Sequence, residues 1–423
     1  MRPAAKPRVA MISLGCPRNL VDSQVILKHF SSKGYRIVEE ISQADIGIVN
    51  TCAFINDAKE ESIDVLLDLI ELKKAGKLKK IIVYGCLSQR YKYELADELP
   101  QIDAFVGRIS LDSSSDSVIL TPPHYAYLKI CEGCINNCSY CAIPKIKGPL
   151  ASLDIGCLVT KAKDLDKKGI SELNIIGQDI TSYGLDIYGE ASLEKLLRKI
   201  LKGTSIDWIR LLYLYPSRIT DDLLKIIRDS PRVCKYIDLP LQHINDRILR
   251  LMNRRNASKK DIYKLIGKIR KLVPTAALRT AFIVGFPSES DSEFKELLDF
   301  IEDIRFERLG VFIYSHEEAT AAYKMGGQIP KRIKDQRFDI IMRKQQEISS
   351  SINKEYLGRT LDVLIDEKEP GHYLGRTQYD APEVDGLVYV HSDMVLTPGE
   401  LVSVEINDTL EYDLVGRAVK RIN

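Results

Sequence analysis

The sequence predicts an α/β fold in three parts: a small doubly wound sheet, an incomplete parallel barrel and a short all-β barrel. Three observations carry this. Apolar runs of strand length alternate with amphipathic stretches over residues 1–108, and again on a larger scale over 125–356. From 357 to 423 the helical pattern gives way to short strands separated by turn signals. A chain of 423 residues is also too long for a single hydrophobic core.

In the first part, Val9–Leu14, Ile46–Asn50 and Ile81–Tyr84 read as buried strands, with Leu20–Lys33, Ala58–Lys74 and Ser88–Leu95 as helices between or after them. The polar stretch Ser110–Ser117, followed by Pro122-Pro123, marks a linker over 109–124. In the second part the strands are Ala126–Ile130, Glu172–Ile176, Trp208–Leu212, Tyr236–Leu239, Leu278–Val284 and Leu309–Tyr314. Six βα units make an incomplete barrel, since a closed eight-unit one needs about 250 residues. The polar helix Lys331–Tyr356 ends this part. In the third, Leu361–Ile365, Leu387–Val390, Leu401–Ile406 and Tyr412–Val415 are set off by turns such as Glu369-Pro370-Gly371 and Thr397-Pro398-Gly399, as in a small β-barrel.

Composition narrows the class. With 45% hydrophobic and 28% charged residues the chain reads as globular. No apolar run reaches the roughly 18–20 residues that cross a bilayer, and Val9–Leu14 is too short for a signal peptide, so a cytoplasmic enzyme without membrane contact is expected. Nine cysteines, an odd number without a secretion signal, point to metal binding or catalysis rather than disulfides. The net charge of +2 hides an asymmetry: residues 357–423 hold 6 Lys/Arg against 13 Asp/Glu, a net of −7, leaving +9 elsewhere.

Cys134, Cys138 and Cys141 form C-x3-C-x2-C directly after the first barrel strand, at the end where such barrels carry their active sites. Three thiolates on a four-iron cluster leave one iron open. That iron can chelate the amino and carboxylate groups of S-adenosylmethionine and pass an electron into its sulfonium, releasing methionine and a 5′-deoxyadenosyl radical. A structural zinc site wants four ligands; Cys131 makes a C-x2-C with Cys134, but no second pair or histidine lies nearby. Cys16, Cys52 and Cys86 each follow the end of one predicted strand, so a parallel sheet brings them to one edge, where a second cluster with an open iron fits better than three ordinary core cysteines. Gly15 and Gly85 would let the backbone come close to such a cluster. Tyr140, inside the radical loop, is a candidate for contact with S-adenosylmethionine; Gly285-Phe-Pro287 after the fifth barrel strand reads equally as a simple turn or as a contact for the adenosyl group, through Gly285. Cys157, Cys234 and the histidines read as core residues, with His243 at a strand end a possible exception.

Taken together, Ser13-Leu-Gly-Cys-Pro-Arg-Asn-Leu-Val-Asp22, Asn50-Thr-Cys-Ala-Phe-Ile55, Lys59-Glu-Glu-Ser62, Leu239-Pro-Leu-Gln-His243 and Asp380-Ala-Pro-Glu-Val-Asp-Gly386 resemble the methylthiotransferase family of radical S-adenosylmethionine enzymes, in its RimO-type ribosomal-protein branch, across essentially the whole chain. The transfer-RNA branch typically has glutamine where Pro17 stands. The resemblance implies a flavodoxin-like N-terminal domain, a radical-SAM partial (βα)6 barrel, and a TRAM-like C-terminal barrel that docks the substrate. It further implies that one [4Fe–4S] cluster, on Cys16, Cys52 and Cys86, supplies or relays sulfur. A second, on Cys134, Cys138 and Cys141, would activate the β-carbon of an aspartate in small-subunit ribosomal protein S-twelve. Two S-adenosylmethionine would be consumed per product, with electrons from a flavodoxin- or ferredoxin-type donor.

The acidic third part suits a basic protein target better than RNA, so RNA binding is not favoured; acidity that merely keeps a domain soluble is the plainer alternative. Two other functions compete: a transfer-RNA methylthiotransferase with the same chemistry, and a non-catalytic iron–sulfur carrier, which would ordinarily hold each cluster by four cysteines. Three departures from the family pattern stand out. Ala151-Ser152-Leu153 replaces the usual Arg-Ser-Arg, Ser288-Glu289-Ser290 replaces Gly-Glu-Thr, and Cys131 stands where a small residue is usual.

Overall fold

The computed structural model describes residues 6–109, 118–254 and 257–422; the expected linker segment Ser110–Ser117 lies outside the described residues. The first sheet has five parallel strands, β1 (Arg8–Ser13), β2 (Arg36–Ile37), β3 (Ile46–Thr51), β4 (Lys80–Gly85) and β5 (Ala104–Phe105), in the order β2-β1-β3-β4-β5. This is the flavodoxin-like order, whose ligand crevice opens between β1 and β3 at the carboxyl ends. Every residue of β3 is buried, because helices cover both faces. The edge strands β2 and β5 were not anticipated; two residues each are too few to show a period. The helices run Pro17–Ser32, Asn56–Lys74 and Cys86–Glu98.

The second part holds β6 (Tyr125–Lys129), β7 (Cys131–Glu132), β8 (Ala151–Ser152), β9 (Glu172–Ile176), β10 (Trp208–Leu211), β11 (Tyr236–Gln242), β12 (Ala277–Val284) and β13 (Arg308–Ile313). Six of these are parallel and follow the expected sequence: β6-β9-β10 and β11-β12-β13 form two three-stranded sheets joined by a bridge between Ile209 and Val233. β7 and β8 form a short unanticipated hairpin that braces the cysteine loop. Amphipathic helices cover the outside, two of them opened by reciprocal caps, Ser258 with Asp261 and Ser290 with Glu293. Helix Lys331–Lys354 packs on β13 and ends the partial barrel.

The third part is a closed barrel of β14 (Thr360–Glu369), β15 (His372–Thr377), β16 (Val388–His391), β17 (Leu401–Thr409) and β18 (Leu414–Arg421). The pattern reading missed β15, whose Gly375 weakens the strand signal but lets β14 pass close: a Cβ there would stand 2.6 Å from the Leu364 carbonyl oxygen. It also placed β18 early, for Tyr412 is exposed in the preceding turn.

This barrel docks on the strand-start end of the parallel barrel, opposite the cysteines. Arg376 pairs with Glu172 and Asp366 at 2.7 Å each, Arg308 with Asp380, and Arg279 with Asp385 at 3.4 Å, while Tyr125 and Tyr236 donate to Glu383 and Asp385. The recognisable segment Asp380–Gly386 is thus a plug whose carboxylates give Arg308 its counter-charge and Arg279 a second one besides Asp238. Replacing Arg376 with Met is expected to cost about 1.5–3 kcal/mol, because Glu172 loses one of its two buried counter-charges and keeps Arg210. A denaturant midpoint equal to the parent's would mean the C-terminal barrel docks without this pair.

Candidate active site

The carboxyl ends of β1, β3 and β4 carry the first cysteine set. Cys16 caps helix 17–32 with Pro17 at the first helical position, Cys52 follows β3, and Cys86 opens helix 86–98 behind Gly85. Side chains from the recognisable motifs fix these turns. Asn19 donates to the Leu14 and Thr51 carbonyls, Asn50 donates to the Asn19 carbonyl and to Ser23, and Ser62 both accepts from the Cys52 backbone N–H and donates to its carbonyl. Two glycines stand at these turns. Gly15 (φ +86°) and Gly85 (φ +96°) do stand in the left-handed region, but a Cβ on Gly15 would lie 2.8 Å from the Cys52 Cβ, and one on Gly85 would lie 2.5 Å from the Thr51 carbonyl oxygen. They let the cysteine-bearing turns approach one another.

The second set lies across the mouth of the partial barrel. The Asn136 backbone and side-chain N–H groups both reach the Cys134 Sγ at 3.4 Å, the kind of N–H···S contact that tunes an iron–sulfur site. The side chain of Asn136 also donates to Asp179, which pairs with Arg218 at 2.6 Å. Arg254, buried, points Nη1 at the Cys138 Sγ (3.9 Å) and the Tyr140 hydroxyl (3.4 Å) and donates Nη2 to the Pro240 carbonyl. Among the described residues it has no carboxylate within ion-pair distance, and its Nε is buried without a partner. A guanidinium buried this way requires an anion; a cluster ligated by three thiolates supplies one.

Charge separates the thiols. Burial opposes ionisation of Cys16, but Arg18, with Nε 3.5 Å from its Sγ, outweighs that and holds its pKa below the usual thiol value. Burial pushes Cys86 and Cys141 up to about 12 and raises Cys52 and Cys134, so these ionise only on taking a metal. Among the described residues, no three His, Cys, Asp or Glu are gathered tightly enough for a single metal ion. Ligands at the corners of a four-iron cube stand wider apart than those around zinc. Each set has an arginine beside one of its thiols, Arg18 at Cys16 and Arg254 at Cys138.

The remaining candidates fall in three places. Tyr140 packs beside Met252 and the fully buried Phe286 of Gly285-Phe-Pro287. Gly285 (φ +70°) sits at the end of β12, where a Cβ would meet Lys334 at 2.3 Å, so the turn and the packing of helix 331–354 already require glycine. Cys131 is fully buried in β7 beside Gly177, and burial raises its pKa: an inert thiol. His243 is buried, accepts from the Asn245 backbone N–H at Nδ1, and burial lowers its pKa to about 4, which keeps it neutral. Cys234 is core, as expected. In the departure at 151–153, Ser152 binds the Asp186 carboxylate and Leu153 packs on the barrel core.

Arg254, Arg218, Asp179 and Asn136 escaped the sequence reading. Each follows a strand or lies in a loop, where isolated polar residues are the rule. Replacing Arg254 with Met is expected to make the radical cluster harder to reduce, since the reduced form is the more anionic. A redox titration followed by electron paramagnetic resonance, without S-adenosylmethionine, reads this directly; an unchanged potential would show that Arg254 only packs.

A partial parallel barrel with a three-cysteine loop at its mouth defines a radical S-adenosylmethionine enzyme. Sequence profiles match at residues 8–107 (Uncharacterized protein family UPF0004), 128–301 (Radical SAM superfamily) and 357–419 (TRAM domain). Among solved structures, the radical S-adenosylmethionine methyltransferase TsrM from Kitasatospora setae aligns with a TM-score of 0.57 at 12% identity, over 90% of this chain and 80% of that one. This likeness concerns the fold alone. Curated relatives are far closer in sequence. Proteins named ribosomal protein uS12 methylthiotransferase RimO are 44% identical in Clostridioides difficile (97% of this chain, 98% of the relative) and 42% identical in Parabacteroides distasonis (98% and 99%). The chain belongs to this RimO methylthiotransferase family.

Proposed function

We propose that the protein methylthiolates the β-carbon of one aspartate of ribosomal protein uS12, with two [4Fe–4S] clusters and two S-adenosylmethionine per product. What supports this reading is the pair of cysteine triads, one at the carboxyl ends of the first sheet and one in the loop after the first barrel strand. Arg18 touches Cys16 of the first set and also reaches the Gly177 carbonyl and the Tyr213 ring at the barrel mouth.

When bound, the barrel cluster and S-adenosylmethionine supply a 5′-deoxyadenosyl radical able to take hydrogen from an unactivated carbon. The chain's residues do the positioning. Cys134, Cys138 and Cys141 hold the radical cluster on its loop; Tyr140 and Gly285 line the S-adenosylmethionine side; Cys16, Cys52 and Cys86 hold the sulfur-handling cluster. The parts serve as a methylthiotransferase domain (1–108), a radical barrel (125–356) and a TRAM-like barrel (357–423). Among the described residues no helix is long and apolar enough to cross a membrane, which accords with a cytoplasmic enzyme served by a flavodoxin- or ferredoxin-type donor. Exposed carboxylates on the C-terminal barrel, among them Glu367, Glu405 and Asp408, offer a basic ribosomal protein complementary charge.

Anaerobically purified protein should carry about eight irons, and the Cys16→Ala and Cys138→Ala variants roughly half each, as two independent four-iron sites require. Incubation with reductant and S-adenosylmethionine should add one methylthio group to uS12 and none to transfer RNA. A gain on transfer RNA alone would reverse the substrate assignment, and no 5′-deoxyadenosine with either would leave the carrier reading.

A further inference from the structure

We propose that Arg18 receives the carboxylate of the target aspartate and so places its β-carbon between the two cysteine sets. This rests on the reading of uS12 as substrate. Among the described residues, several neighbouring cations are committed: Lys129 and Lys147 to Asp22 and Glu132, Lys59 and Arg90 to Glu317, Arg218 to Asp179. Arg254 has no carboxylate either, but it is buried against the radical loop and closed off by Pro240 and Tyr140, out of an incoming side chain's reach.

Arg18 is partly exposed, and its geometry is fixed from three sides. Nε donates to the Cys16 Sγ, Nη1 donates to the Gly177 carbonyl at the end of β9 (3.2 Å), and the guanidinium lies 4.4 Å over the Tyr213 ring. Tyr213 itself has a left-handed backbone (φ +66°), a strained conformation for a residue with a side chain, and its N–H is held by Asp238 at 2.8 Å. Strain of this kind persists only where surrounding contacts impose it, and here it supplies the platform for Arg18. Among the described residues Nη2 has no hydrogen-bond partner and no carboxylate lies within ion-pair distance. A planar donor edge so held, with one nitrogen free, is suited to a carboxylate. An aspartate side chain is short, so anchoring its carboxylate fixes the adjacent β-carbon to within one bond.

The test is a double-mutant cycle on iron-loaded enzyme, with uS12 carrying either the target aspartate or asparagine there. Binding is read by calorimetry and turnover by mass spectrometry. Arg18→Met, reconstituted to the parent's iron content and compared at equal iron, is expected to raise KM and Kd for uS12 roughly 10–100-fold, the loss of a charge-assisted pair, with partial rescue by Arg18→Lys. The asparagine form should bind the parent enzyme as weakly as native uS12 binds the Met variant, and the two losses should not add. Iron-loaded Arg18→Met with unchanged Kd and KM overturns the proposal, and so does asparagine uS12 binding the parent as tightly as native uS12, an arm that needs no enzyme variant. If the parent neither binds nor modifies uS12, the substrate assignment falls first and this inference with it.

Discussion

Four buried charges decide how the two cysteine sets meet. Asp22, on helix 17–32 of the first sheet, pairs with Lys129 at the end of β6 and with Lys147 in the cysteine loop (2.8 Å), and Glu132 in β7 completes the set at 2.5 Å from Lys129 and 3.4 Å from Lys147. All four side chains are buried, two positive and two negative. Desolvating such a set costs nearly what its attractions return, so it adds little net stability; its effect is specificity, because any other docking angle would leave a charge buried alone. A lock of this kind suits a reaction in which two separately held groups must face one target. Hydrophobic contacts from Leu20 and Val21 on the same helix fill the space beside it but would tolerate sliding.

Within that lock a polar chain runs down the lumen of the partial barrel. Arg18 lies over Tyr213, whose backbone N–H is held by Asp238; Asp238 pairs with Arg279 at 3.2 Å, and Arg279 with Asp385 of the C-terminal plug. The first sheet and the C-terminal barrel thus reach each other through side chains on β11 and β12. Burial raises the pKa of Asp238 even though Arg279 works to lower it, as expected where desolvation and pairing are nearly matched. The mouth is thus held by continuous pairing as well as by packing.

Much of this was legible in the sequence, and the boundary has physical causes. The long parallel strands and the three strand-end cysteines were readable because a strand buried on both faces is continuously apolar and its end is abrupt. The two-residue strands β2, β5, β7 and β8 were not, since they hold no period. The cysteine sets were chemically conspicuous, whereas Arg18 sat inside a recognised motif without a role. Its significance lies in having, among the described residues, no carboxylate within ion-pair distance, and only three dimensions show that. Lys129 and Glu172 did leave a trace: charges inside otherwise apolar strands are almost always paired across the fold. The close approach of Gly15 to Cys52 and of Gly85 to Thr51 was not legible, because sequence gives φ preference but not neighbours.

The acidity of residues 357–423 changes meaning for the same reason. Counted along the chain it looks like an outward charge, yet Asp366, Asp380 and Asp385 turn inward to Arg376, Arg308 and Arg279. That portion balances the barrel rather than facing a visitor. The remainder, including exposed Asp362, Glu367, Glu405, Asp408 and Glu411, is what a partner meets. Because its plug neutralises arginines on the strand-start end, the C-terminal barrel is not a module hung on a finished enzyme. Without it Arg279 would keep only Asp238, and the lumen chain that ends beneath Arg18 would lose its last carboxylate. Substrate-facing charge and site geometry are thus divided between two faces of one small barrel, and a substitution on either face is read correctly only when its side is known.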